Sequence, residues 1–211
     1  LPHIQTLKVE DTQNALSMDA ATIRNLELVQ NLNGGKEHTL SHVMDKTATP
    51  MGSRLLKRWM TRPLRDQQAL SLRHQVIAAL QPESLHQSLH QLLRPVGDME
   101  RILARVGLKS ARPRDLLQLN KGLMSIPKVK DLIKGLSAVR IQDLNAMLGD
   151  LSEISDKLSR ALVDNPPALL RDGGVIAEGY DEALDEYRKL SEHSDQYLID
   201  LEEREKARTG L

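Results

Sequence analysis

From Asp181 to Thr209 the chain contains neither glycine nor proline. Such a run predicts one helix of about 29 residues, or roughly 43 Å at 1.5 Å per residue. Leu184, Tyr187, Ser191, Ser194, Leu198 and Leu201 alternate steps of three and four, so one narrow seam is offered to a neighbour. Most other positions are charged, and a helix that is polar on most faces bridges between masses of protein or pairs along a stripe. The sequence asks for a strut, and a strut needs a body to root it.

The body is expected to be helical. The chain has 211 residues, enough for one large domain or two small ones with a real core. Aromatic residues are only 2%, with no Phe and one Trp, so the core must be built of aliphatic side chains and Met, as in helix-on-helix packing. Lys plus Arg equals Asp plus Glu at 29 each, so no global charge drives the chain onto nucleic acid or an anionic membrane. With no Cys, disulfides, thiolate metal sites and a Cys nucleophile are excluded. No apolar run approaches a membrane span and no signal-peptide pattern opens the sequence. The chain starts at Leu1-Pro2-His3 without Met and stops at Thr209-Gly210-Leu211 straight after a helical pattern, ends that suit an excised piece.

Along the chain, Thr6–Val9 and Ala15–Met18 flank the turn-rich Asp11-Thr12-Gln13-Asn14, which predicts a small β-hairpin. Asp19 is an N-cap for a helix to about Leu32, ended by Asn33-Gly34-Gly35. Thr39 caps a short helix to Met44. Thr49-Pro50 is the sharpest helix start, a capping hydroxyl followed by Pro at the first helical position. On that helix Met51, Leu55, Leu56, Trp59 and Met60 share one half, and Arg54, Lys57 and Arg58 the other. Asp66 caps a helix to Leu80, Pro82 opens one through Leu93, and Asp98 opens one that buries Met99, Ile102, Leu103 and Val106. Pro113 restarts the pattern and Pro127 restarts it again. From Ile141 to Val163 the apolar spacing is helical throughout. Asn165-Pro166-Pro167 breaks the chain, Asp172-Gly173-Gly174 makes a turn, and Val175-Ile176-Ala177 suits a short strand. No fixed-period repeat is present, which argues against a solenoid.

Chemistry is scarce. Gly34-Gly35-Lys36, with Thr39 beyond, lacks the spacing and the preceding strand of a phosphate loop and reads as a helix terminator. His86 and His90 share a helical face, but no Glu or third ligand completes a zinc site, so surface histidines are the better reading. The carboxylates Glu182, Asp185, Glu186, Glu202, Glu203 and Glu205 are interleaved with Arg188, Lys189, Arg204 and Lys206, a solvated and paired face. Two basic groups remain: Arg54, Lys57, Arg58 and Arg62, and then Arg101, Arg105, Lys109, Arg112 and Arg114. Either could follow a phosphate backbone, yet no aromatic residues interleave, and structural ion pairing is the preferred reading for both.

The residues also carry a family resemblance over essentially the whole chain. Asp19-Ala20-Ala21-Thr22, Arg24–Leu28, Gly34-Gly35 and Thr39-Leu40 resemble the opening of the core (lever) domain of the bacterial MutS mismatch-repair family. Asp45–Trp59 followed by Pro63–Asp66 is similar to that family's most recognisable segment here. Asp98–Arg105, Ala111–Leu116, Arg171–Ala177 and Gly179-Tyr180 match in order. Ile23 stands where a basic residue is common, and Met99 where Leu is common.

The resemblance implies a mainly all-α fold, an irregular helical bundle with a small hairpin near the N-terminus and a long C-terminal lever helix. Residues 1–180 would form the core and 181–211 the outgoing lever up to the clamp junction, within the same domain. The mismatch-reading and connector domains would precede Leu1, and the clamp, returning lever helix and ATPase would follow Leu211. The implied function is to couple ATPase state to DNA clamping in DNA mismatch repair, in the cytoplasm on the nucleoid, through rigid helices. The chain itself would be no enzyme, with no catalytic, cofactor or metal residues; ATP and Mg would serve the ATPase of the parent protein. Implied partners are the connector, clamp and ATPase domains, a second MutS subunit, MutL, and mismatched duplex DNA through the parent. The alternative is a module that binds duplex DNA directly with Arg54, Lys57 and Arg58. A helical hydrolase and a MutS-type protein acting outside mismatch repair are weaker rivals.

Overall fold

Several helix starts follow from side chains that accept the N–H groups a first turn leaves free. In a computed structural model that describes residues 14–167, 170–192 and 194–210, Asp19, Thr39, Thr49, Asp66 and Asp98 cap α1 (Ala20–Asn25), α2 (Leu40–Met44), α3 (Pro50–Thr61), α4 (Gln67–Leu80) and α6 (Met99–Gly107). Between α4 and α6 lies α5 (Leu85–Leu93). There follow α7 (Pro113–Ile133), α8 (Val139–Met147), α9 (Ser152–Ala161), α10 (Glu182–Glu192) and α11 (Ser194–Thr209). The fold is all-α, and no strand occurs among the described residues.

The expected hairpin is not shown. Its first run and most of its turn lie outside the described residues, and the second run pairs elsewhere. Ala15 bridges Leu64 antiparallel, the Leu16 N–H donates to the Pro63 carbonyl at 2.8 Å, and the Arg65 N–H donates to that of Asn14 at 2.9 Å. The strand expected at Val175–Ala177 is likewise a single bridge, Leu162 with Ile176.

Four helix boundaries depart from the sequence reading. α1 ends at Asn25 because Glu27 turns to a left-handed φ of 46° and its carboxylate takes the Leu32 N–H at 2.8 Å. Pro82 opens only a 3₁₀ turn, and α5 begins three residues later. Pro127 does not restart a helix; α7 runs through it. Conversely, the regular spacing from Ile141 to Val163 conceals a break at Leu148–Leu151. There Lys130 Nζ, from α7, donates to the carbonyl of Leu148 at 2.8 Å and Asp150 accepts the Ser152 N–H.

α7 is the axis of the bundle and packs against α5, α6, α8 and α9. Ile102, Leu119 and Leu123 are its buried centre, with Met99, Ile126 and Leu158 against them. Leu103 and Val106, expected inside, are half-exposed. Gly122 lets α6 come close: a Cβ there would stand 3.0 Å from Met99 Sδ. Between α7 and α9 the contact is polar. Buried Asn120 accepts from the Ser155 hydroxyl at 2.7 Å and donates to Ser159 Oγ at 2.8 Å. The C-terminal run forms α10 and α11, with His193 between them outside the described residues.

Candidate functional site

Arg54 leaves the first half of α3 for the start of α6. Its Nη1 and Nη2 donate to the two oxygens of Asp98 at 2.6 and 2.8 Å, and Nη2 also reaches Glu100. A planar guanidinium meets a carboxylate most strongly in this two-pronged way. Asp98 also accepts the Arg101 N–H as the cap of α6. These bonds, that of Arg54 first, hold the Asp98 carboxyl down at about 2, against an ordinary 3.8. The same carboxylates push the Arg54 guanidinium further up, Asp98 more than Glu100.

Lys57 is half-buried one turn on, and its charge is among the influences that lower Asp45, behind hydrogen bonds from Ser53 and Thr47. Arg58 is exposed and lines an open cavity of about 600 Å³ together with Leu55, Trp59, Arg62, Arg73 and residues 14–18. The Arg73 guanidinium stacks 3.7 Å above the Trp59 ring. Burial first, then the like charge of Arg140, pushes Arg73 down. The three residues singled out for nucleic acid are therefore not one open strip. Arg54 is spent on two carboxylates, Lys57 is half-buried, and Arg58 belongs to the cavity wall.

The second basic group is largely committed too. Arg105 grips Asp115 with two bonds of 2.9 and 2.7 Å, Arg101 lies 3.4 Å from Asp98, and Arg114 reaches the Pro166 carbonyl. His90 Nε2 stands 3.0 Å from the Lys46 carbonyl, which can only accept, so that nitrogen carries the proton. Among the described residues no group of three His, Cys, Asp or Glu is placed to hold a metal. Gly34-Gly35 does not fit a phosphate: Asn31 Oδ1 already takes the Gly35 N–H at 2.8 Å, and Gln30 Nε2 donates to the Gly34 carbonyl.

Sequence reading missed the foot of α10. Asp185 and Arg188 were read as part of a solvated face, but they tie the helix to the preceding turn. Asp185 accepts the Gly179 N–H at 2.7 Å, and Arg188 donates to Asp185 at 2.9 Å and to the Ile176 carbonyl at 2.7 Å. Ile176 is bridged to Leu162 at the end of α9, and α9 is bound to α7 through Asn120. A continuous polar path thus joins α10 to the bundle axis. The signal available in the sequence was the i, i+3 spacing of Asp185 and Arg188, which also fits an ordinary surface pair. Above this foot the seam is open: Tyr187 and Leu198 are 69% and 60% exposed.

The family model described as MutS domain III matches residues 21–207. The chain belongs to this family. MutS domain III is part of the mismatch-repair protein MutS, a multidomain protein that acts on DNA. The matched range takes in the Arg54–Asp98 clamp, the α7 axis and the foot of α10, so all three are features of a MutS domain III. No helix is long and apolar enough among the described residues to cross a membrane.

Proposed function

We propose that this MutS domain III is a non-catalytic mechanical relay, carrying nucleotide-driven motion of an ATPase along its helices to a DNA clamp. The single observation behind this is the rooted foot of α10, tied by Asp185 and Arg188 to the turn that bridges α9. A helix transmits force only if its base does not swivel, and two side chains bound to three backbone or side-chain partners restrain it there. The charged, largely exposed surface of α10 and α11 suits a stalk held at its ends.

ATP and Mg belong in this reading to the ATPase of the parent protein, and mismatched duplex, a second MutS subunit and MutL engage the assembled parent in the cytoplasm. The non-catalytic part of this reading draws on the aspartates. Among the described residues, those with a resolved shift, Asp19, Asp45, Asp98, Asp115 and Asp150, are all moved downward, toward permanent charge and away from proton transfer near neutrality.

The test is Arg188→Ala in the multidomain MutS protein that carries this domain. ATP binding should be retained while ATP-provoked release from mismatched duplex slows by about tenfold or more, as loss of a charge-assisted contact allows. Unchanged release would overturn the relay. The direct DNA-binding alternative predicts a steep fall of duplex affinity with salt for the isolated chain, whereas the relay predicts negligible binding at any salt.

A further inference from the structure

We infer that the groove between α7 and α9 docks a short amphipathic helix of a partner protein, with Leu or Met on its inner side and Lys or Arg along both edges. This does not rest on the relay reading of α10. Shape, exposed apolar surface and charge each point to that occupant.

The groove is preformed. Its volume is about 510 Å³, with α7 and α9 as its walls and the turn at residues 149–151 at one end. Ser155 and Ser159 on the α9 wall are both bonded to Asn120 of α7, which holds the width without an occupant. The α7 wall runs from Leu123 to Asp131, a span of about 12 Å at 1.5 Å per residue. That length suits a contact of two to three helical turns, the mode in which an amphipathic helix lays its apolar side into a groove.

The floor is apolar and open. Leu123 is buried, but Met124 on α7 is 57% exposed and Leu151 at the start of α9 is 38% exposed, and Ile126 and Pro127 also line the groove. Covering such surface is favourable, and the flexible thioether of Met124 adapts to apolar side chains of varied shape.

The charge is one-sided. Asp131, Asp150 and Asp156 line the groove with a single cation, Lys130, whose Nζ is bound to the Leu148 carbonyl. Asp150 takes the Ser152 N–H, and its carboxyl is held down by the bonds from Ser152 first and by the Lys130 charge last. Among the described residues, nothing is hydrogen-bonded or ion-paired to Asp131 or Asp156, one on each wall. Lys121, Lys128 and Lys157 belong to the same two helices but lie outside the lining. A helix with cations on both edges sets one against each wall, whereas an acidic helix is repelled from both.

Two labelled peptides of three to four turns test this by fluorescence anisotropy. Both carry Leu at i, i+3, i+4 and i+7, and they differ only in having Lys or Glu at the flanking positions. The Lys peptide should bind the chain saturably and shift amide resonances confined to residues 123–131 and 149–159, a result that needs no substitution. The Glu peptide should bind about tenfold more weakly or worse. Asp131→Asn with Asp156→Asn, both at exposed positions, should weaken the Lys peptide roughly fivefold, as two exposed ion pairs allow. Glu202→Gln with Glu203→Gln on α11 removes the same charge elsewhere and should leave binding unchanged. No binding of the Lys peptide, equal binding of the two peptides, shifts scattered beyond the groove, or equal weakening by the α11 pair would overturn the docking site. So would self-association of the chain that the Asp131→Asn and Asp156→Asn pair abolishes, since the occupant would then be a second copy.

Discussion

Asp98 shows how one side chain is asked to do two jobs. It caps α6 through the Arg101 N–H and neutralises Arg54. Asp98→Ala removes both and is expected to cost about 2 kcal/mol of unfolding free energy, while Asp98→Asn keeps a capping oxygen and costs less. Denaturant titration of the two variants separates the roles. The pH dependence has a definite sign. The folded carboxyl titrates at about 2 and the unfolded one near 3.8, so the pair's contribution is complete above that range and is lost as pH falls through it. Asp98→Asn should flatten that part of the acid limb. At the same scale, a Cβ on Gly97 would collide with Gln118 Cγ, and Gln118 donates to the Pro95 carbonyl. Gly97→Ala is therefore expected to destabilise, and Gln118→Ala in the same chain to restore most of the loss, read as a thermal midpoint. Caps such as Asp19, Thr39, Thr49, Asp66 and Asp98 were legible in the sequence because their chemistry is local. The partner of Arg54 was not, since 44 positions separate it from Asp98 and nothing in the spacing couples them.

Elements were legible where a local signal was strong and misread where tertiary contacts overrode it. Pro127 is a fair example. Its ring denies Leu123 an N–H donor, which ordinarily ends a helix, yet α7 continues and buries Ile133 beyond it. Pro127→Ala is expected to stabilise the chain by about 1–2 kcal/mol, the restored hydrogen bond outweighing the added freedom of the unfolded state. A rise in denaturation midpoint checks it. The reverse error, a helix assumed unbroken from Ile141 to Val163, arises because the apolar spacing keeps its period across Gly149 while Lys130, on another helix, donates to the loose Leu148 carbonyl. On α11 the apolar residues Tyr197, Leu198 and Ile199 are all substantially exposed. Amide exchange from about Ser194 onward should accordingly be fast in the isolated chain, and strong protection there would contradict the exposure argument.

For the whole molecule, family and helical class could be read in advance, because motif order and an almost ring-free composition survive any detail of packing. Which arginines face solvent could not, because charge balance says nothing of pairing, and the site candidates Arg54, Lys57 and Arg58 were separated only by the fold. The Asn120 amide has a consequence at this largest scale. Sliding α9 along α7 by one turn, about 5.4 Å, would strand that amide, only 6% exposed, away from both Ser155 and Ser159. The two helices are keyed in register like meshed teeth. Thrust delivered at the stalk's foot would then move the pair as a block, with slippage between them penalised at every step.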